Sequence, residues 1–213
     1  MPLYTADALI LRTYQLGESD RVVVFLTRDR GKKRGVAKNA RQSRRRFGGA
    51  LEPLTCGRVA YMERERRDLV RVDYVEPTRS PLSAVDGDAL GYAGYFAELI
   101  DEWAQEADPN EPLFRLGAST VEAMAAGAPI ERLARYFEYW LLRLQGVYAP
   151  DRRMSAAAQA FLTAARTSSP FTLAELTVSA GALREIEASH RALIAMHLEK
   201  ELKSARVLRE MRR

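Results

Sequence analysis

Residues 30–46 hold nine Lys or Arg (Arg30, Lys32, Lys33, Arg34, Lys38, Arg41, Arg44, Arg45 and Arg46) and no acid; Phe47-Gly48-Gly49 follows directly. So much like charge in 17 residues repels itself and resists burial, so the stretch has to run over a surface that holds both its ends. Apolar, strand-like runs lie on either side of it, which tethers it to a small β unit rather than leaving it as a tail. A polyanionic partner whose phosphates replace the missing carboxylates is the simplest explanation. A merely solvated loop is the alternative.

The flanking runs define that unit. Residues 7–15 are rich in strand formers, and 17–20 read as a turn. Residues 21–27 form a second run, Arg-Val-Val-Val-Phe-Leu-Thr, continuous enough to be buried on both faces. A turn at 29–31 leads to a short third strand over 33–37, and the basic stretch continues as a loop to Glu52-Pro53. A fourth strand fits 55–62. After a charged turn at 63–68, a fifth spans 69–75, where Leu69, Arg71, Asp73 and Val75 alternate with Val70, Val72 and Tyr74. Five short strands with one long loop after the third suggest a small closed barrel. The oligonucleotide-binding (OB) barrel is the commonest such fold with a nucleic-acid habit; an SH3-like barrel is the alternative.

Everything after Pro81 reads as helix. Ala89, Ala93, Phe96, Ile100 and Trp103 recur at helical spacing, with Asp86 and Asp88 placed to cap and charge the start. Tyr92 and Leu99 widen this stripe, which predicts a central helix. Pro112 opens the next helix, with Leu113, Leu116, Thr120 and Met124 inward. Ile130, Leu133, Phe137, Leu141 and Leu144 mark a third, stopped at Gly146. Ser155 caps a short alanine-rich helix, 167–170 is a loop, and one long helix spans about 179–202, with Leu183, Ile186, Leu193 and Leu198 as core positions. The expected class is α+β in two domains: residues 1–80 a five-stranded OB-fold β-barrel that binds nucleic acid, residues 81–213 an all-α helical bundle that meets partners. Charge divides the same way, with 18 Lys/Arg against 10 Asp/Glu in residues 1–80 and 15 against 18 in the rest.

No set of residues recommends an enzyme. His190 and His197 lie seven apart, which is not the spacing of a two-histidine metal motif, and read as packing residues. Residues 31–35 lack the spacing of a phosphate loop. Cys56, the single cysteine, excludes an internal disulfide and a multi-cysteine metal site, and reads as a buried spectator. No cofactor is expected. The first residues show neither the basic nor the apolar region of a signal peptide, and no run of about 18 uncharged apolar residues exists; the expected location is the cytoplasm.

Binding is the reading that remains. The nine cations are candidates to follow a phosphate backbone. Tyr14, Phe25, Phe47, Tyr61 and Tyr74 lie on or beside the strands, where an aromatic can stack on a base; Phe47 is the leading candidate and Phe25 reads as core. With about six cations on phosphates, single-strand affinity would follow a log–log salt slope of roughly −4. A second basic cluster, Lys200, Lys203, Arg206, Arg209, Arg212 and Arg213, suits either a helix C-terminus or DNA.

The stretch from Leu9 to Arg21, Ala37–Arg41, and Ser43–Pro53 resemble, in order and at matching distances, the opening signatures of the bacterial RecO family of recombination mediators. His197-Leu198 and Leu202–Leu208 resemble its C-terminal motif. The resemblance implies an OB-fold followed by a helical domain, and no catalytic turnover. It implies binding of single- and double-stranded DNA, annealing of complementary strands, help in loading RecA, and work at the nucleoid. The implied partners are RecR and the single-stranded-DNA-binding protein, whose acidic, apolar tail would dock on the helical domain, with Arg132 and Arg135 beside Tyr136 or Tyr139 as hosts. Many members carry four cysteines as a zinc module after the third long helix; here Gln145–Asp151 runs almost directly into Ser155 without one, so no zinc is expected. An RNA-binding or ribosome-associated OB-fold factor is the alternative function, because a basic loop does not itself discriminate sugars. A helical scaffold whose basic loop meets an acidic protein is a third.

Overall fold

A computed structural model describes residues 2–63, 68–83, 87–151 and 153–211. Five strands close into a barrel: β1 (Leu3–Leu16), β2 (Asp20–Thr27), β3 (Gly31–Ala37), β4 (Cys56–Met62) and β5 (Val70–Arg79), in the order β1-β2-β3-β5-β4. The β3–β5 seam is parallel and the other pairings are antiparallel. The charged turn expected at 63–68 falls mostly on residues outside the described set.

Strand alternation sorts the apolar residues into two cores. Ala6, Ala8, Ile10, Val23 and Phe25 point into the barrel with Val59, Tyr61, Val70 and Val72. Leu9, Leu11, Val24 and Leu26 point out, into the core of the helical region. This is why β2 reads as a continuous apolar run: one parity fills the barrel and the other fills the interface. Two bulges re-aim the chain where alternation alone fails. One lies between Ile10 and Arg12: Leu11 faces out as alternation expects, and after the shift Arg12, opposite Val24, faces out too. The other, where Ala60 pairs with Tyr74 and Tyr61 with Val72, reverses the expected alternation of the fifth strand: Val75 joins Val70 and Val72 inside, and Tyr74 is exposed.

Against the outer barrel face lies α2 (Gly87–Trp103), which also touches α3 (Glu111–Ala125), α4 (Ile130–Leu144) and the C-terminal helix, and so is central as expected. Of its expected caps, Asp86 lies outside the described residues, as does the side chain of Asp88. The Asn110 side chain accepts from Leu113 N at 3.1 Å to start α3, with Pro112 in the first turn. Gly117 lets α3 approach closely, since a Cβ there would lie 2.6 Å from Leu9 Cδ1 and 2.8 Å from Ile100 Cδ1. Leu144, expected inward on α4, is exposed in its last turn.

Ser155 caps α5 (Ala156–Ala165) and Ser179 caps α6 (Ala180–Leu198). The expected final helix is two. Glu199 takes a left-handed φ of 52° and ends α6, and α7 (Lys203–Met211) returns over α2. Glu98 on α2 starts α7 by accepting from Lys203 N and Ser204 N at 3.0 and 2.8 Å. A cap supplied from another helix leaves no local sequence signal. The small helix α1 (Arg44–Phe47) lies inside the basic loop.

Candidate nucleic-acid interface

The cations of the basic run do not share one surface. Register places the β1–β2 turn and the start of the basic loop at one end of the barrel, and the β2–β3 and β4–β5 connections at the other. Arg30 is at the second end, its guanidinium 4.2 Å from the centre of the Tyr4 ring and 3.8 Å from Asp29. Lys33 pairs there with Glu63 at 2.9 Å. Lys32 and Arg34 point toward the helices: Lys32 Nζ donates to the Asp101 carboxylate at 3.1 Å and to its backbone carbonyl at 2.6 Å, and Arg34 meets Glu106 at 2.7 Å. Asp101 also holds Arg12 at 3.2 Å. In other barrels of this kind the face of strands 2 and 3 takes the oligonucleotide; here Val24 and Leu26 on that face join the core of the helical region, and Lys32 meets Asp101 of α2. Lys32, Lys33 and Arg34, expected on the DNA, have their charges matched in this fold by Asp101, Glu63 and Glu106.

Lys38, Arg41, Arg44, Arg45 and Arg46 remain. Lys38, Arg44 and Arg45 are exposed and meet no carboxylate among the described residues. Arg41 donates to Glu18 O at 3.0 Å and Arg46 to Lys38 O at 2.8 Å, contacts that fix each side chain without neutralising it. Hydrogen bonds zip the loop onto the β1–β2 turn: Asn39 N donates to Asp20 Oδ1 at 2.8 Å, Ser19 Oγ to Asn39 Oδ1 at 3.1 Å, and Arg41 N to Ser19 O at 3.2 Å.

Apolar anchors hold the loop from beneath. Phe47, 2% exposed, enters the barrel core with Ala50 and Leu51, so the expected base-stacking role of Phe47 gives way to plugging the barrel end. Gly48 follows because a Cβ there would sit 2.5 Å from Arg44 O, and Gly49 because φ is +71°. Burying the ring that follows three arginines turns their backbone into a short helix and leaves Arg44 and Arg45 facing water. Of the other aromatics, Phe25 and Tyr61 are core, whereas Tyr14 and Tyr74 are exposed.

The residues expected to host a partner are internal. Arg135 is 3% exposed and bridges Glu138 at 2.8 Å and Glu187 at 2.9 Å. Glu138 also accepts from Tyr95 OH at 2.8 Å and faces His190 Nδ1 at 3.1 Å. Burial pushes the Glu138 carboxyl up, but Arg135, His190 and Tyr95 together outweigh it and hold it below the usual carboxylate range. Tyr139 and Tyr136 are buried, and Arg132 donates to the carbonyls of Leu173 and Ala174. Beside this cluster a groove of 390 Å³ opens between α2, α6 and α7, lined by Tyr92, Ile194, Leu202 and Leu208 with Arg191 and Lys200. Its walls come from Tyr92 and Tyr95, from Arg135 and Glu138, and from residues 187–209, so no local pattern reveals it. Of the C-terminal basic cluster, Lys200 pairs with Glu102 and Arg209 with Glu201, while Arg212 and Arg213 lie outside the described residues.

The residues present do not fit the zinc module of the resembled family. Burial pushes the Cys56 thiol up to about 12, and among the described residues no three potential ligands gather. No helix is long and apolar enough to cross a membrane among those residues.

Two family models match in order: the recombination protein O N-terminal model over residues 1–81, and the C-terminal model over residues 84–151. The DNA repair protein RecO of Koribacter versatilis is 45% identical over 150 residues, covering 70% of this chain and 61% of that protein. That of Anaeromyxobacter sp. (strain K) is 43% identical over 141 residues, covering 65% and 55%. That of Pelotomaculum thermopropionicum is 34% identical over 151 residues, covering 70% and 57%. The matched stretch is thus less than two thirds of each relative's own length. The first model takes in the whole barrel with its basic loop and the second takes in α2, α3 and α4: the chain belongs to the recombination protein O (RecO) family.

Proposed function

We propose that this chain acts in DNA repair and recombination as a mediator without turnover, holding single- and double-stranded DNA along residues 38–46. The observation that carries the reading is the loop itself: five cations without a described acidic partner, on a backbone fixed by hydrogen bonds and by three buried apolar anchors. A fixed cationic ridge loses little conformational freedom when phosphates arrive, and each phosphate it meets releases condensed counterions. Two strands drawn to one such ridge repel each other less, which favours pairing of complementary sequences. Annealing, and assistance to RecA on DNA coated by single-stranded-DNA-binding protein, follow from that reading.

RecR and the single-stranded-DNA-binding protein are the proposed partners, on the helical side. The groove between α2, α6 and α7 supports docking of an apolar tail, because it combines aromatic and aliphatic walls with Arg191 at its edge; its Lys200 is already paired with Glu102, and Glu187 and Glu201 also line it. Of the residues expected as hosts, Arg135 lines this groove and Arg132, Tyr136 and Tyr139 do not.

A strand-annealing assay, with and without single-stranded-DNA-binding protein on the DNA, tests the proposal. The full chain should speed annealing of both substrates, and Arg44→Ala/Arg45→Ala/Arg46→Ala should slow it while the protein stays folded. Equal annealing by the triple variant in moderate salt would refute the assignment, and equal competition by matched RNA would favour the RNA-binding alternative.

A further inference from the structure

An acid beside a cationic ridge weakens the field that draws phosphates to it. The β1–β2 turn nevertheless brings two acids, Glu18 and Asp20, against the free half of the basic run, and neither forms an ion pair among the described residues. Glu18 contributes its backbone carbonyl, which accepts from Arg41. Asp20 contributes its carboxylate, and gives it to a backbone N–H rather than to a cation.

That N–H belongs to Asn39, whose φ of 54° is left-handed, a conformation that few residues besides glycine and asparagine hold readily. Asn39 is the pivot of the loop. Its N–H donates to Asp20 Oδ1 at 2.8 Å and its side-chain oxygen accepts from Ser19 Oγ at 3.1 Å, so two side chains of one turn grip it. Its own carbonyl accepts from Gln42 N at 3.1 Å and Ser43 N at 3.0 Å, which brings the chain round to α1. Arg46 closes the ring by donating to Lys38 O and Ser43 Oγ. Asp20 is thus joined, through a single residue 19 positions away, to the element that carries Arg44, Arg45 and Arg46.

We infer that Asp20 is a positioning residue for the basic loop: its carboxylate latches Asn39 in the left-handed turn, and the turn sets where the arginines of α1 stand. This role rests on the DNA-binding reading above and adds to it an effect opposite in sign to that of charge. If the five cations acted through their field alone, removing an acid beside them would tighten DNA binding. With the latch gone the loop is freed, and ordering it again opposes binding. The phosphate contacts still form once the loop is ordered, so the number of counterions released stays the same.

Fluorescence anisotropy of the full chain with a labelled oligo-dT, over a range of salt, separates the two effects. Asp20→Ala should weaken binding by roughly 3- to 30-fold, the equivalent of one or two hydrogen bonds, at the salt slope of wild type. Asp20→Asn, which keeps an acceptor for Asn39 N and loses the charge, should bind at least as tightly as wild type. Asn39→Ala, at an exposed position, cuts the latch from the loop side and should reproduce the loss, so the test stands even where Asp20→Ala does not fold. Undiminished binding by folded Asp20→Ala or by Asn39→Ala would overturn the latch. So would a loss in Asp20→Asn as large as in Asp20→Ala, or a salt slope that relaxes along with the affinity. If the triple arginine variant loses binding while both latch variants keep it, the loop reading stands and the latch falls. If the wild-type chain binds no oligonucleotide, both fall.

Discussion

Lys32 and Arg45 belong to one basic run, yet the fold uses them in opposite ways. Lys32 is 14% exposed on its side chain and pairs with an Asp101 carboxylate that is 9% exposed. Arg45 stands in water on a four-residue helix whose only buried residue is Phe47. The first half of the run fastens the barrel to the helices; the second is left with its charge unspent. A basic patch in a sequence is thus an upper bound on the charge a protein can offer a ligand. The remainder after internal pairing is the quantity that governs salt dependence and affinity.

The comparison can be tested hardest where compensation is most complete. Glu138→Ala should lower stability by about 3–5 kcal/mol in urea unfolding, because it strips the buried Arg135 of one of its two carboxylates. The Glu138 carboxyl sits below its unfolded range, so its contribution is fully present above pH roughly 4.3 and fades as pH falls through the lower folded value. The stability difference between wild type and Glu138→Gln should therefore shrink in acid; a difference that grew there would contradict the assignment.

Asp101→Ala is next, at roughly 1–3 kcal/mol, since it strands the mostly buried Lys32. DNA binding by that variant should persist at temperatures where it is folded, and its loss would show that the β3 cations take part after all. The triple substitution at Arg44, Arg45 and Arg46 should give the mirror image. Stability should fall by no more than about 1 kcal/mol, the loss of the Arg46 bonds to Lys38 O and Ser43 Oγ. Single-strand affinity should fall roughly tenfold or more, and the salt slope should relax from about −3.5, for five phosphate contacts rather than six, to about −1.5. The smallest effect belongs to Glu106→Ala, worth no more than about 1 kcal/mol in stability because its pair with Arg34 is largely solvated. If that variant also steepens the salt slope, the freed Arg34 has joined the phosphate contacts, and the line between the two halves lies one residue further back.

Where local chemistry decides, the sequence was legible. Strand-forming runs between turns located five strands, and helical spacing with Pro112 and the Ser155 cap as starts located four of the helices to within a few residues. It was silent where the deciding partner is remote. Lys32 meets a carboxylate 69 residues away, Arg34 one 72 residues away, and α7 is capped from α2 across more than a hundred residues. Phe47 looked like a stacking ring because composition shows only that an aromatic follows arginines; its burial depends on how the loop closes over the barrel mouth. Val75 and Tyr74 exchanged faces through one bulge, which a period-two pattern does not encode.

By itself, then, the sequence determined a small five-stranded β unit, a helical region behind it, and an acid-free basic run that begins in the third strand and ends before the fourth. These follow from periodicity and from like-charge repulsion, which act between near neighbours along the chain. The tertiary structure alone decided which cations stay free, because neutralisation is a matter of distance in space and the acids that supply it arrive on other elements.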